Sequence, residues 1–65
     1  MQTWVKCTVK DGRAIYVNPN AIATITRLAS DSYTHIEFPG SEHPAAVQEK
    51  PEDIIKATGW DLVSA

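Results

Sequence analysis

Trp4-Val5-Lys6-Cys7-Thr8-Val9-Lys10-Asp11-Gly12-Arg13-Ala14-Ile15-Tyr16-Val17 alternates apolar and polar residues on both sides of Asp11-Gly12. The alternation predicts a β-hairpin, and its register decides where every later segment must pack. A two-residue type I′ turn at Asp11-Gly12 would put Val5, Cys7 and Val9 on one face and Ile15 and Val17 on the other. Directly opposed residues share a face, so that register divides the apolar set. A three-residue loop, Lys10-Asp11-Gly12, keeps the set together. It makes a type I turn with Gly12 left-handed in a G1 bulge. Val5 then faces Val17 and Cys7 faces Ile15, while Trp4, Lys6, Thr8, Ala14 and Tyr16 take the other side. A slip of one residue inverts every side chain, so the consistent face selects the three-residue loop.

Working outward, the first strand is expected over Thr3 to Val9 and the second over Arg13 to Asn18. Asn18-Pro19-Asn20 breaks the extended chain, because Pro19 fixes φ and the asparagines bond nearby backbone. The spacing of Ile22 and Ile25 suits a short helical turn leading into a third strand, Ala23 to Leu28. After the polar turn Ala29-Ser30-Asp31-Ser32, a fourth strand spans Tyr33 to Phe38, with Ile25 opposite Ile36. Its outer face receives Thr24, Thr26, Leu28, Tyr33, His35 and Glu37. Pro39-Gly40 ends this strand, and a short edge strand follows at Ala45 to Gln48. Pro51 opens a helix, with Glu52 and Asp53 favouring its positive N-terminal end. Gly59 is the natural residue to close it. Ile54 and Ile55 are expected as its buried pair, with Trp60 and Leu62 pinning the tail beside it.

The pattern predicts an α+β, mostly β chain forming one small domain over residues 1–65. Its architecture is a small antiparallel sheet of four to five strands, with one short C-terminal helix packed on one face. Sixty-five residues, 43% hydrophobic and 22% charged, allow one modest core. The single cysteine excludes an intramolecular disulfide. No apolar run approaches the ~18 residues of a membrane span, and no signal-peptide pattern stands at the N-terminus. A cytoplasmic bacterial or phage protein without a membrane partner is therefore expected. The net charge of −2 and pI near 5.5 argue against binding held by many phosphate contacts.

Val5-Lys6-Cys7-Thr8, Asp11-Gly12, Ile15-Tyr16-Val17-Asn18-Pro19 and Ile22-x-x-Ile25 together resemble the FlbD-like small flagellar-operon proteins. The segment Val47-Gln48-Glu49-Lys50-Pro51-Glu52-Asp53-Ile54-Ile55 is similar to that family's closing strand and helix. The resemblance covers about residues 4–57. The chain departs from the family at Lys50, where a Ser or Thr usually precedes the helix. It departs again in the Pro39–Pro44 loop, which lacks a tight Asn-Gly turn. The family has no established catalytic residues, so the resemblance implies none here.

No nucleophile, base and orienting group can be assembled from the spacing. Cys7 between Val5 and Val9 reads as a small buried hydrophobe. His35, Glu37, Glu42 and His43 have the chemistry of metal ligands but no ligand spacing. We therefore expect no enzyme, no metal and no cofactor. The expected function is that of a noncatalytic binding or adaptor module acting through protein contacts, in a flagellar or phage setting. Its candidate surface is the outer face: Trp4, Lys6, Tyr16, Leu28, Tyr33 and His35. The same face and the open sheet edges suggest a homodimer, with the protein partner otherwise unknown. The alternative from another class is a nucleic-acid-binding module using Lys6, Lys10 and Arg13 interleaved with Trp4 and Tyr16 on the first hairpin.

Overall fold

The computed structural model describes residues 4–64. Thr3, expected at the start of the first strand, lies outside the described residues. Strands β1 (Val5–Thr8) and β2 (Ala14–Val17) form the hairpin in the expected register, Val5 opposite Val17 and Cys7 opposite Ile15. The Gly12 N–H donates to the Val9 carbonyl at 3.0 Å, and the Val9 N–H donates to the Arg13 carbonyl at 2.9 Å. Gly12 has φ of 95°, which an L-residue with a Cβ reaches only under strain. Asp11 steadies the return, its Oδ1 accepting the Arg13 N–H at 3.0 Å.

The short helical turn falls at Pro19–Ala21, three residues before the position that Ile22 and Ile25 suggested. The cause is local. Asn18 caps the turn, its side chain accepting the Asn20 N–H at 3.1 Å, and Pro19 supplies a pre-set first residue. Strands β3 (Thr24–Thr26), β4 (Thr34–Glu37) and β5 (Ala45–Val47) then run as an antiparallel meander, with Ile25 opposite Ile36. The third strand stops at Thr26 instead of reaching Leu28. Arg27 turns its guanidinium onto the Asp31 and Ser32 carbonyls, at 3.4 and 3.1 Å, and the Asp31 N–H bonds the Leu28 carbonyl at 2.9 Å. The chain is already turning at that point.

The small α+β, mostly β architecture is present, but the single sheet of four to five strands is not. The strands form two antiparallel sheets, β1-β2 and β3-β4-β5, joined by one bridge between Val9 and Val47. The Gln48 N–H still donates to the Thr8 carbonyl at 2.8 Å. The Thr8 N–H instead donates to the Glu49 carboxylate at 2.8 Å. A side chain has taken the donor that a continuing ladder would have used, and the two sheets part there.

Helix α1 (Pro51–Thr58) follows Lys50, which offers no side-chain cap, and closes at Gly59 with φ of 79°. Val5, Cys7, Val17, Ile36, Val47 and Ile54 form the buried core, with Val9, Ile15, Ile22, Ile25, Phe38 and Ala45 packed against it. The expected isoleucine pair is unequal. Ile54 is buried and Ile55 only half-buried, since neighbouring helical residues point about 100° apart and one sheet can cover only one of them squarely. The tail is not pinned either: Trp60 and Leu62 are both exposed. No helix among the described residues is long and apolar enough to cross a membrane.

Candidate interaction face and the seam between the sheets

Strand alternation aims Val5, Cys7, Ile15 and Val17 inward, and so aims Lys6 and Tyr16 outward. Lys6 and Tyr16 are direct cross-strand partners. Tyr16 is 65% exposed and Trp4, just before β1, is 61% exposed. These three residues form one patch carrying two large aromatic surfaces and one ammonium group. Trp60 does not cover them. Its side chain lines a groove with Ile22, Ile25 and Ile55 instead.

The other three expected residues stand apart from that patch. His35 is opposite Thr26 and Ala46 on the outer face of the three-stranded sheet, with its Nε2 4.0 Å from the Asp31 carboxylate. Tyr33, half-buried, carries Lys10 over its ring, the ammonium 4.8 Å from the centroid. Lys10 thus ties the tip of the hairpin to the second sheet. Leu28 is 62% exposed in the turn beyond β3, outside any strand.

The basic residues of the hairpin are differently occupied. Arg13 bonds Asp11, Nε to Oδ2 at 2.7 Å, and Lys10 lies on Tyr33. Of the three cations, Lys6 alone shares the open patch with Trp4 and Tyr16.

Where the two sheets meet runs a polar seam that the sequence reading missed. Glu49 accepts two hydrogen bonds from Thr8, from the backbone N–H at 2.8 Å and from Oγ1 at 2.9 Å. Thr34, fully buried, donates its hydroxyl to the Glu49 carbonyl. One residue therefore binds β1 through its side chain and β4 through its backbone. Burial pushes the Glu49 carboxyl upward, but the bonds from Thr8 outweigh it and hold the group below the ordinary glutamate range. Cys7 is shifted the other way: burial, and then the nearby Glu49 charge, push its thiol up. Thr34 could have been found from its parity with Ile36 along β4. Glu49 left no local signal, because its partner is Thr8.

A recess of about 280 Å³ lies between the β3–β4 turn and the start of α1, lined by Arg27, Asp31, Lys50 and Glu52 among others. Two cations and two carboxylates line it, and Arg27 Nη1 is buried without a hydrogen-bond partner among the described residues. Among the described residues, no three His, Cys, Asp or Glu side chains converge as a metal site would need.

Fold and surface together define a small β-rich domain that presents an exposed aromatic patch on a hairpin. Set against family models, curated proteins and solved structures, the chain matches none.

Proposed function

We propose that this chain is a noncatalytic binding module that engages a protein partner through Trp4, Lys6 and Tyr16, with Leu28, Tyr33 and His35 at the margins of the contact. The exposure of two large aromatics around Lys6, which makes no ion pair among the described residues, carries this reading. Exposed aromatic surface is what protein interfaces enrich, whereas isolated charges are not. The alternative, nucleic-acid binding by the same hairpin, draws on Trp4 and Tyr16 as stacking surfaces. It loses support from Arg13 and Lys10, which are engaged with Asp11 and Tyr33. A noncatalytic role also agrees with Cys7, whose thiol is buried and raised away from the reactive thiolate form. The resemblance to the FlbD-like family makes a flagellar or phage assembly the proposed setting, within a bacterial cytoplasm.

Affinity capture with the parent chain and with a Trp4→Ser/Tyr16→Ser variant tests the proposal. A protein retained by the parent and lost by an equally stable variant supports it, and identical capture by both rejects the patch. A parallel salt titration against DNA and RNA oligonucleotides addresses the alternative. Affinity that falls steeply with salt would move the function to nucleic acid.

A further inference from the structure

The hairpin turn holds the one Asp-Gly pair in the chain, Asp11-Gly12. Of the other glycines, Gly40 follows a proline and Gly59 a threonine. An aspartate before glycine is the arrangement most open to cyclisation, because glycine puts no Cβ beside the amide nitrogen that must attack. The turn also faces water. Asp11, Gly12 and Arg13 are all exposed. Chain neighbours apart, no heavy atom of the described residues lies within 4 Å of a Cβ built on Gly12. Packing therefore does not shield the pair.

Hydrogen bonding does. Ring closure needs the Gly12 nitrogen to release its proton and attack Asp11 Cγ, and one carboxyl oxygen must leave. In the folded turn the Gly12 N–H donates to the Val9 carbonyl at 3.0 Å. Both carboxylate oxygens are occupied as well. Oδ1 accepts the Arg13 N–H at 3.0 Å, and Oδ2 accepts from Arg13 Nε at 2.7 Å. The nucleophile and the leaving oxygen are each tied to a partner, and Arg13 supplies two of the three ties.

We propose that Asp11-Gly12 is a latent modification site, restrained by Arg13, at which succinimide closure turns Asp11 into an isoaspartyl residue. The steps balance with water alone. The Gly12 nitrogen bonds Cγ, and one carboxyl oxygen leaves as water, carrying the amide proton and a proton from solvent. Water then adds to either ring carbonyl, and a proton returns to solvent as a carboxylate forms. Attack at Cγ restores aspartate. Attack at the main-chain carbonyl carbon of Asp11 leaves Gly12 linked through Cγ. This product keeps its mass, but its backbone is one carbon longer. The extra atom falls inside the loop closed by the Gly12 N–H and the Val9 carbonyl, which sets Val5 opposite Val17 and Lys6 opposite Tyr16. A turn of altered length loses that register. The ion pair is exposed on both sides, 81% at Arg13 and 56% at Asp11, so its restraint is modest and weakens with salt.

Incubating the full chain in water enriched in heavy oxygen tests the proposal, since each passage through the succinimide leaves one heavy oxygen on residue 11. Mass mapping of the peptide carrying residues 11–13 counts those passages, and chromatography separates the isoaspartyl form. Asp11 should gain label ahead of Asp31, Asp53 and Asp61. Arg13→Ala should label about two- to fivefold faster than the parent. The parent's own rate should rise with salt, which tests the ion pair without any substitution. In urea both chains should share one faster rate, because the turn bonds are gone. The purified isoaspartyl chain should unfold at lower urea than the parent. Label arriving first on another aspartate overturns the proposal, and so do equal rates for the folded parent and folded Arg13→Ala. A folded parent that reacts as fast as the unfolded one removes the restraint, and an isoaspartyl chain as stable as the parent removes the loss of register.

Discussion

The seam at Thr8, Glu49 and Thr34 and the face at Trp4, Lys6 and Tyr16 use polar and apolar groups in opposite senses. In the seam, a buried hydroxyl and a backbone N–H find acceptors on one glutamate, and the polar groups hold two sheets together. On the face, two of the largest apolar side chains in the chain stand in water. A buried polar group without a partner is costly, so the seam must be satisfied to exist at all. An exposed aromatic gains almost nothing from folding, so its presence calls for a different explanation. The comparison separates residues that the fold needs from residues that the fold merely displays.

The largest effect expected lies beside the seam, where α1 docks. Ile54→Ala removes a buried side chain from the core and should destabilise by about 2–5 kcal/mol, a large share of the total for so small a domain. Ile55→Ala, at a half-buried position on the groove, should cost distinctly less. Urea unfolding of both variants measures the gap. Equal losses would mean that α1 does not present one face to the sheets.

Glu49→Ala comes next. It leaves the Thr8 N–H and hydroxyl without their acceptor and should cost about 1–3 kcal/mol at neutral pH. The charge adds a pH dependence of definite sign. The folded-state carboxyl is held below its unfolded value, so the native state favours the ionised form. The stability Glu49 contributes is complete above the ordinary glutamate range, and is lost as pH falls through the folded value. Glu49→Gln should therefore be less stable than the parent at neutral pH and should converge on it in acid. A constant gap between the two unfolding curves across that range would remove the charge from the account of the seam.

Gly12→Val is expected to cost about 1 kcal/mol or more, because φ at this position is positive. Apart from its chain neighbours, no heavy atom of the described residues lies within 4 Å of an added Cβ, so the effect is conformational. Gly12→Asn, which tolerates the left-handed region better, should recover part of it. The turn was legible because Asp11-Gly12 and the alternation on either side agree on one register. The division into two sheets was not legible. It depends on a carboxylate taking a backbone donor from a strand 41 positions away, and no local pattern encodes such a choice. Thr34 lies between these cases: its parity with Ile36 placed it inward, but its acceptor, the Glu49 carbonyl, is again long-range. The outer patch was partly legible. Parity put Lys6 and Tyr16 on one face, whereas Tyr33 and Leu28 depended on where Lys10 reaches and where β3 stops.

The smallest stability effect is expected on the face, and it bears most directly on function. Tyr16 is 65% exposed and makes no side-chain hydrogen bond among the described residues. Tyr16→Ser should change the unfolding free energy by no more than about 0.5 kcal/mol, the usual range for surface substitutions. It gives up some β-propensity and part of the contact with Lys6 across the strand, both fractions of a kcal/mol. Thermal unfolding of Tyr16→Ser beside Glu49→Ala puts the two regions on one scale. A loss at Tyr16 as large as the loss at Glu49 would show that the fold needs the ring, and the patch would then be structural. A neutral result leaves the aromatic surface free of any folding role. Its exposure in water then has to be explained by what it contacts.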